Sequence, residues 1–161
     1  MRNLTNTALL SVIILLTGTL QLPSPFPGGE FQLSAPIAVL ICALFGWKRY
    51  FLAGLVASLL GLLLGLHNPY SVLIQIAFRA IVASVIALGG VNLLTLSLSG
   101  PLGTLFARLL VAQVTGVNWN ILAIAALPGM IFTGLVVILA YKPVQRLLGI
   151  VQKGGSYHAT V

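Results

Sequence analysis

A chain of 161 residues with 59% hydrophobic and 6% charged residues, and a mean hydropathy of +1.12, lacks the polar surface of a water-soluble domain, which is typically about a quarter charged. Its net charge of +7 is scattered among apolar runs rather than gathered into a stripe, which excludes a nucleic-acid-binding module. One acid, Glu30, and two histidines in the whole chain leave too few groups for a metal centre or for acid–base catalysis, so no catalytic residue, metal site or cofactor is expected.

At about 25 residues per span and connection, the length predicts an all-α integral membrane protein with a bundle of about six transmembrane helices. Residues 1–150 read as that single domain and 151–161 as a short polar cytoplasmic tail. The first apolar run extends from Leu4 to Leu22 and stops at the breaker cluster Pro23-Ser24-Pro25-Phe26-Pro27-Gly28-Gly29. A lone Arg2 before it, and Pro36 just beyond the small residue Ala35, argue against a cleaved signal peptide. The loop from Pro23 to Gln32 reads either as a lid over an external cavity or as a tight connector. The second run, Leu33 to Trp47, is short for a span and carries Cys42, which has no second cysteine to pair with.

The third run, Tyr50 to Leu66, contains Ala53-x-x-x-Ala57, Gly54-x-x-x-Ser58 and Gly61-x-x-x-Gly65, small residues suited to close helix approach. The fourth extends from Pro69 to Gly90. The fifth begins at Pro101, a good first-turn residue after Ser99, or nearer Asn92 with a kink at Gly100-Pro101. Leu94 to Leu98 alternates like a strand, but an isolated strand edge in lipid leaves backbone groups unpaired, so a loop or helix end is expected there. The sixth, Trp119 to Tyr141, is interrupted by Pro128-Gly129, which predicts a kink or break.

The basic residues set the orientation. With a cytoplasmic N-terminus, Arg2, then Lys48 and Arg49, then Lys142, Arg146 and Lys153 fall on one side, and the opposite loops carry none. That is the positive-inside pattern, and an even number of spans places both termini in the cytoplasm. The outer side holds Glu30, His67-Asn68 and Asn118-Trp119-Asn120. His67 reads as a helix-end residue and Trp119 as an interface anchor.

Arg79 and Arg108 stand apart from this rule, each about halfway through its span. A central Arg costs roughly 2.5–3.5 kcal/mol even on the lenient insertion scale, so it faces a cavity or a partner. Ser71, Gln75 and Arg79 are spaced four apart in one polar stripe, and Thr104, Arg108 and Thr115 share a face with Gln113 beside it. Two readings follow: the arginines lock the bundle through backbone carbonyls, or at least one reaches a polar cavity open to the outside. A single carboxylate cannot neutralise both. The candidate ligand-binding set is therefore Arg79, Gln75, Arg108, Glu30, Ser71, Gln113 and Asn120, for an anionic or strongly hydrogen-bonding ligand.

The run Leu22-Pro-Ser-Pro-Phe-Pro-Gly-Gly-Glu30, followed by Ser34-Ala-Pro-Ile-Ala-Val-Leu-Ile-Cys-Ala-Leu-Phe-Gly46 and by the small-residue helix from Ala53 to Gly65, resembles the substrate-binding S components of energy-coupling factor (ECF) transporters. The resemblance covers most of the chain as an order of features, and its nearest branch is that of proposed α-ribazole transporters. It implies a subunit of the bacterial cytoplasmic membrane that captures a vitamin or vitamin precursor from outside. Such a subunit works with a membrane coupling protein and two cytoplasmic ATPase subunits. The resemblance places docking to the coupling protein on helix one, through Ala-x-x-x-Ala; here Ala8-x-x-x-Val12 and Thr7-x-x-x-Ser11 occupy that place, so Ala8, Thr7 and Ser11 are the docking candidates. The rival reading is a membrane scaffold protein of the MreD type, with no transport role.

Overall fold

The computed structural model describes residues 2–19, 21–23 and 30–157, with side chains described over 4–19 and 33–147. Six helices are present among the described residues: α1 (Arg2–Thr19), α2 (Ser34–Phe45), α3 (Trp47–Leu63), α4 (Pro69–Gly89), α5 (Leu93–Thr115) and α6 (Trp119–Tyr157). The chain is thus the helical bundle that its composition predicts.

Its solvent is legible from its surface. Leu4, Leu88 and Leu139 are 81%, 89% and 73% exposed, and each sits on the outside of a helix. A continuous apolar exterior of this kind associates in water and is matched by lipid. α4, α5 and the Trp119–Leu147 part of α6 are long and apolar enough to cross a membrane. The hydroxyls of α1 are absorbed locally: Ser11 donates to the Thr7 carbonyl and Thr17 to the Ile13 carbonyl, both at 2.8 Å, which satisfies them without water.

Packing explains why the second apolar run is short. α1 lies against α3, α3 against α4, α4 against α5 and α5 against α6, while α2 touches all five. α2 is the central helix, and Val39 and Cys42 on it are fully buried. Its 12 residues rise only about 18 Å, far less than the ~30 Å hydrocarbon thickness. A helix enclosed by protein has no lipid thickness to match.

The connections are tight. Gly46 alone links α2 to α3 and takes φ +87°, a left-sided conformation that a side chain would oppose. Asn68 caps α4 by accepting from the Ser71 amide at 2.7 Å, with Pro69 in the first turn. Asn92 caps α5, accepting from the Thr95 amide and donating to the Gly89 carbonyl, each at 2.8 Å. The fifth helix therefore starts near Asn92, the earlier of its two expected starts, and Leu94 to Leu98 forms its first turns, a helix end and not a loop. Pro101 lies inside it.

α6 is one helix from Trp119 to Tyr157 with Pro128 and Pro143 inside it, so the helix is not broken at Pro128-Gly129. Between α1 and α2 a two-stranded antiparallel ribbon forms, β1 (Gln21–Pro23) with β2 (Glu30–Gln32), pairing Leu22 with Phe31. The Pro/Gly tip at 24–29 lies outside the described residues.

Candidate functional site

A cavity of about 300 Å³ opens within the bundle, lined from α1 to α5. Its wall includes Gly18 near the end of α1, Ser34 at the start of α2, His67 in the α3–α4 connection and Val111 late in α5. The cavity therefore lies in the half of the bundle that holds the α1–α2, α3–α4 and α5–α6 connections. The opposite end carries Lys48 and Arg49 at the start of α3.

α4 supplies the polar wall. Ser71, Gln75 and Arg79 all line the cavity, since a four-residue spacing keeps them on one helical face. The eight residues from Ser71 to Arg79 descend about 12 Å into the bundle. α5 brings Thr104 and Arg108 to the same space, with Ala107 and Val111 on the same stripe. The bundle thus joins Ser71, Gln75, Arg79 and Arg108 around one volume. Gln113 is exposed and stands outside the lining; five residues beyond Arg108, it is turned about 140° round the helix. Asn120 is exposed in the first turn of α6 and is also absent from the wall. The backbone of Glu30 pairs with Pro23 in the ribbon, and its side chain lies outside the described residues.

Arg79 is 7% exposed, and its guanidinium is met by protein oxygens. Nη1 donates to the Gly54 carbonyl at 2.6 Å and to the Ser58 hydroxyl; Nη2 donates to Gln75 Oε1 at 3.2 Å. Ser58 in turn donates to the same Gln75 oxygen at 3.0 Å. These bonds replace the hydration that a cation loses on burial, without a carboxylate. Space for the side chain comes from α3: a Cβ at Gly54 would lie 2.8 Å from Arg79 Nε. Gly61 does the same for His67, whose ring Nε2 would be 3.0 Å from an added Cβ. The small-residue stripe of α3 is thus a bed for polar side chains of its neighbour as well as a packing face. Gly65, by contrast, faces open space at φ +70° and serves the turn.

Arg108 is different. It lines the cavity, is exposed, and has no hydrogen-bond or ion-pair partner among the described residues. One arginine is held by the bundle, and the other meets the cavity without a partner among the described residues.

Sequence reasoning did not select Ser34, His67 or the α1 residues Ile14 and Gly18 for this wall. Gly61, placed to admit a ring two turns from Gly54, was the available signal for His67. Of the three docking candidates on α1, Ala8 is exposed, Thr7 half-buried and Ser11 buried at 1% exposure. Ser11 therefore faces the bundle, and Ala8 shares an outward face with Leu4, Val12 and Leu16.

No protein-family model matches the sequence. Protein BioX of Lysinibacillus sphaericus is 43% identical over 158 residues, covering 97% of this chain and 93% of that protein.

Proposed function

The chain belongs to the same family as Protein BioX, and from that premise and the cavity we propose that it is the membrane-embedded substrate-binding subunit of an ECF-type micronutrient uptake transporter. On this reading it binds rather than catalyses. It sits in the bacterial cytoplasmic membrane, its cavity opens outward, and both termini face the cytoplasm. The observation that carries the proposal is the polar cavity, which collects Arg79, Gln75, Ser71 and Arg108 at the end of the bundle away from Lys48 and Arg49. The positive-inside pattern puts that end outside. A scaffold of the MreD type has no use for a cationic side chain left without a partner at an internal volume, as Arg108 is among the described residues.

The ligand is a small water-soluble vitamin or vitamin precursor. A lining with two arginines favours an acid over a neutral nucleoside of the α-ribazole kind. The energy for uptake comes from partners, a membrane coupling protein and two cytoplasmic ATPase subunits, and the outward face of α1 around Ala8 is the docking surface. The test is purification from native membranes, followed by mass spectrometry of retained small molecules and of co-captured proteins. Recovery of coupling ATPases and of a water-soluble ligand that is lost in Arg108→Ala supports the reading. Absence of any such ligand, with Arg79→Ala and Arg108→Ala both behaving as wild type, would sink it.

A further inference from the structure

Gln75 and Arg108, both in the cavity wall, are left as hydrogen-bond donors, and the bonding pattern shows how. Gln75 Oε1 accepts from the Ser58 hydroxyl at 3.0 Å and from Arg79 at 3.2 Å. Arg79 has donors only, so the Gln75 atom that meets it is the amide oxygen, and the Ser58 hydroxyl, which accepts from Arg79, gives its own hydrogen to that same oxygen. The Gln75 oxygen is therefore committed to the bundle, and the amide nitrogen with its two hydrogens is what remains for the cavity. The Thr104 hydroxyl spends its one hydrogen on the Gly100 carbonyl at 3.1 Å, so it adds no donor to the cavity. Arg108 has five donors and no partner among the described residues. No carboxylate belongs to the described lining.

Ser34, His67 and Ser71 are the other polar side chains of the wall, and the remainder is apolar, with Leu15, Ala38, Ile74 and Phe78 among its residues. A volume of about 300 Å³ corresponds to about ten waters at ~30 Å³ each, room for a compact apolar body and one polar head.

We propose that Arg108 and the Gln75 amide together seat the acid group of a small organic anion, and that Arg79 is a positioning residue that acts through Gln75. This rests on the reading of the cavity as a ligand site. Arg79 and Ser58 hold the Gln75 amide in the one orientation that offers donors. Without them the amide is free to turn and present its oxygen, which repels an anion and accepts from a neutral or cationic head.

Hexanoate, hexanol and hexylamine share one apolar body and differ in the head, so they are the probes. Saturable binding to the purified full chain, followed by calorimetry, is expected for hexanoate at concentrations where the alcohol and amine give none. Arg108→Ala and Gln75→Glu are each expected to weaken hexanoate at least tenfold; the glutamate keeps the shape and the contact to Arg79 but removes the donors. Arg79→Gln is expected to narrow the preference for hexanoate over hexanol, whereas a purely structural role would lower both together. If Arg79→Gln does not fold, Ser58→Ala removes one of the two donors to Gln75 and reads the same preference. Equal or better binding of hexylamine or hexanol to the wild type overturns the inference, as does full hexanoate affinity in Arg108→Ala and Gln75→Glu. Hexanoate bound as described by a protein that captures no coupling ATPases leaves this inference standing and removes the transport reading. Captured ATPases with an amine preference do the reverse.

Discussion

Gly54 and Arg79 meet through space as much as through a hydrogen bond. A methyl group at position 54 would press on the Arg79 side chain within 2.8 Å of Nε, and Arg79 is pinned by three bonds. Gly54→Ala is therefore expected to destabilise by about 1–3 kcal/mol through overpacking, against a helix-propensity gain of about 1 kcal/mol. Gly18→Ala, which meets nothing within 4 Å, receives the gain alone; thermal unfolding in detergent measures both. Tyr50 gives the opposite case. It is fully buried and its hydroxyl has no hydrogen-bond partner among the described residues. Removing an unsatisfied buried hydroxyl relieves a desolvation cost of about 1–3 kcal/mol, so Tyr50→Phe is expected to keep or raise the unfolding temperature. At this scale the sequence singled out Arg79 and Arg108 from their position in apolar runs, and the structure brings both to the wall of one cavity. The sequence did not separate their roles, because Gly54, Ser58 and Gln75 reach Arg79 from two helices.

Among the elements, α5 shows how a local signal is outweighed by a better one. Alternation over Leu94–Leu98 and a proline at 101 both point to a late start. The Asn92 side chain instead caps the helix by accepting from the Thr95 amide while it donates to the Gly89 carbonyl at the end of α4, and tertiary packing carries α5 through Pro101: a Cβ at Gly100 would meet Thr133 of α6 and one at Gly103 would meet Phe78 of α4. Asn92→Ala is expected to cost about 1 kcal/mol, the usual loss for a cap. Faster amide exchange over residues 93–96, with α4 beyond its last turn unchanged, would show that the loss is local. α2 makes a related point. Its apolar run was legible, but whether so short a run faces lipid or protein depends on five other helices. The ribbon between α1 and α2 had no signal at all, since two three-residue strands pair only once α1 and α2 fix their ends.

The whole molecule is polarised, basic at one end and hollow at the other. If the positive-inside pattern governs insertion, a cysteine at Asn68 is expected to react with a membrane-impermeant maleimide in intact cells, and one at Lys48 only after permeabilisation. Cys42 is buried, so background is low, and labelling of Lys48→Cys from outside would reverse the assigned orientation. Composition alone established a lipid-facing helical bundle, because the solvent a surface can tolerate is a sum over residues and does not depend on their arrangement. The periodicity of four in Ser71, Gln75 and Arg79 established a polar face for the same kind of reason, since neighbours on one helix are set by its pitch. Which polar residues share a cavity, which arginine is held and which is free, and why Gln113 and Asn120 fall outside are relations between helices. They depend on how α3, α4 and α5 rotate against one another, and that rotation is set by the packing of the small residues between them.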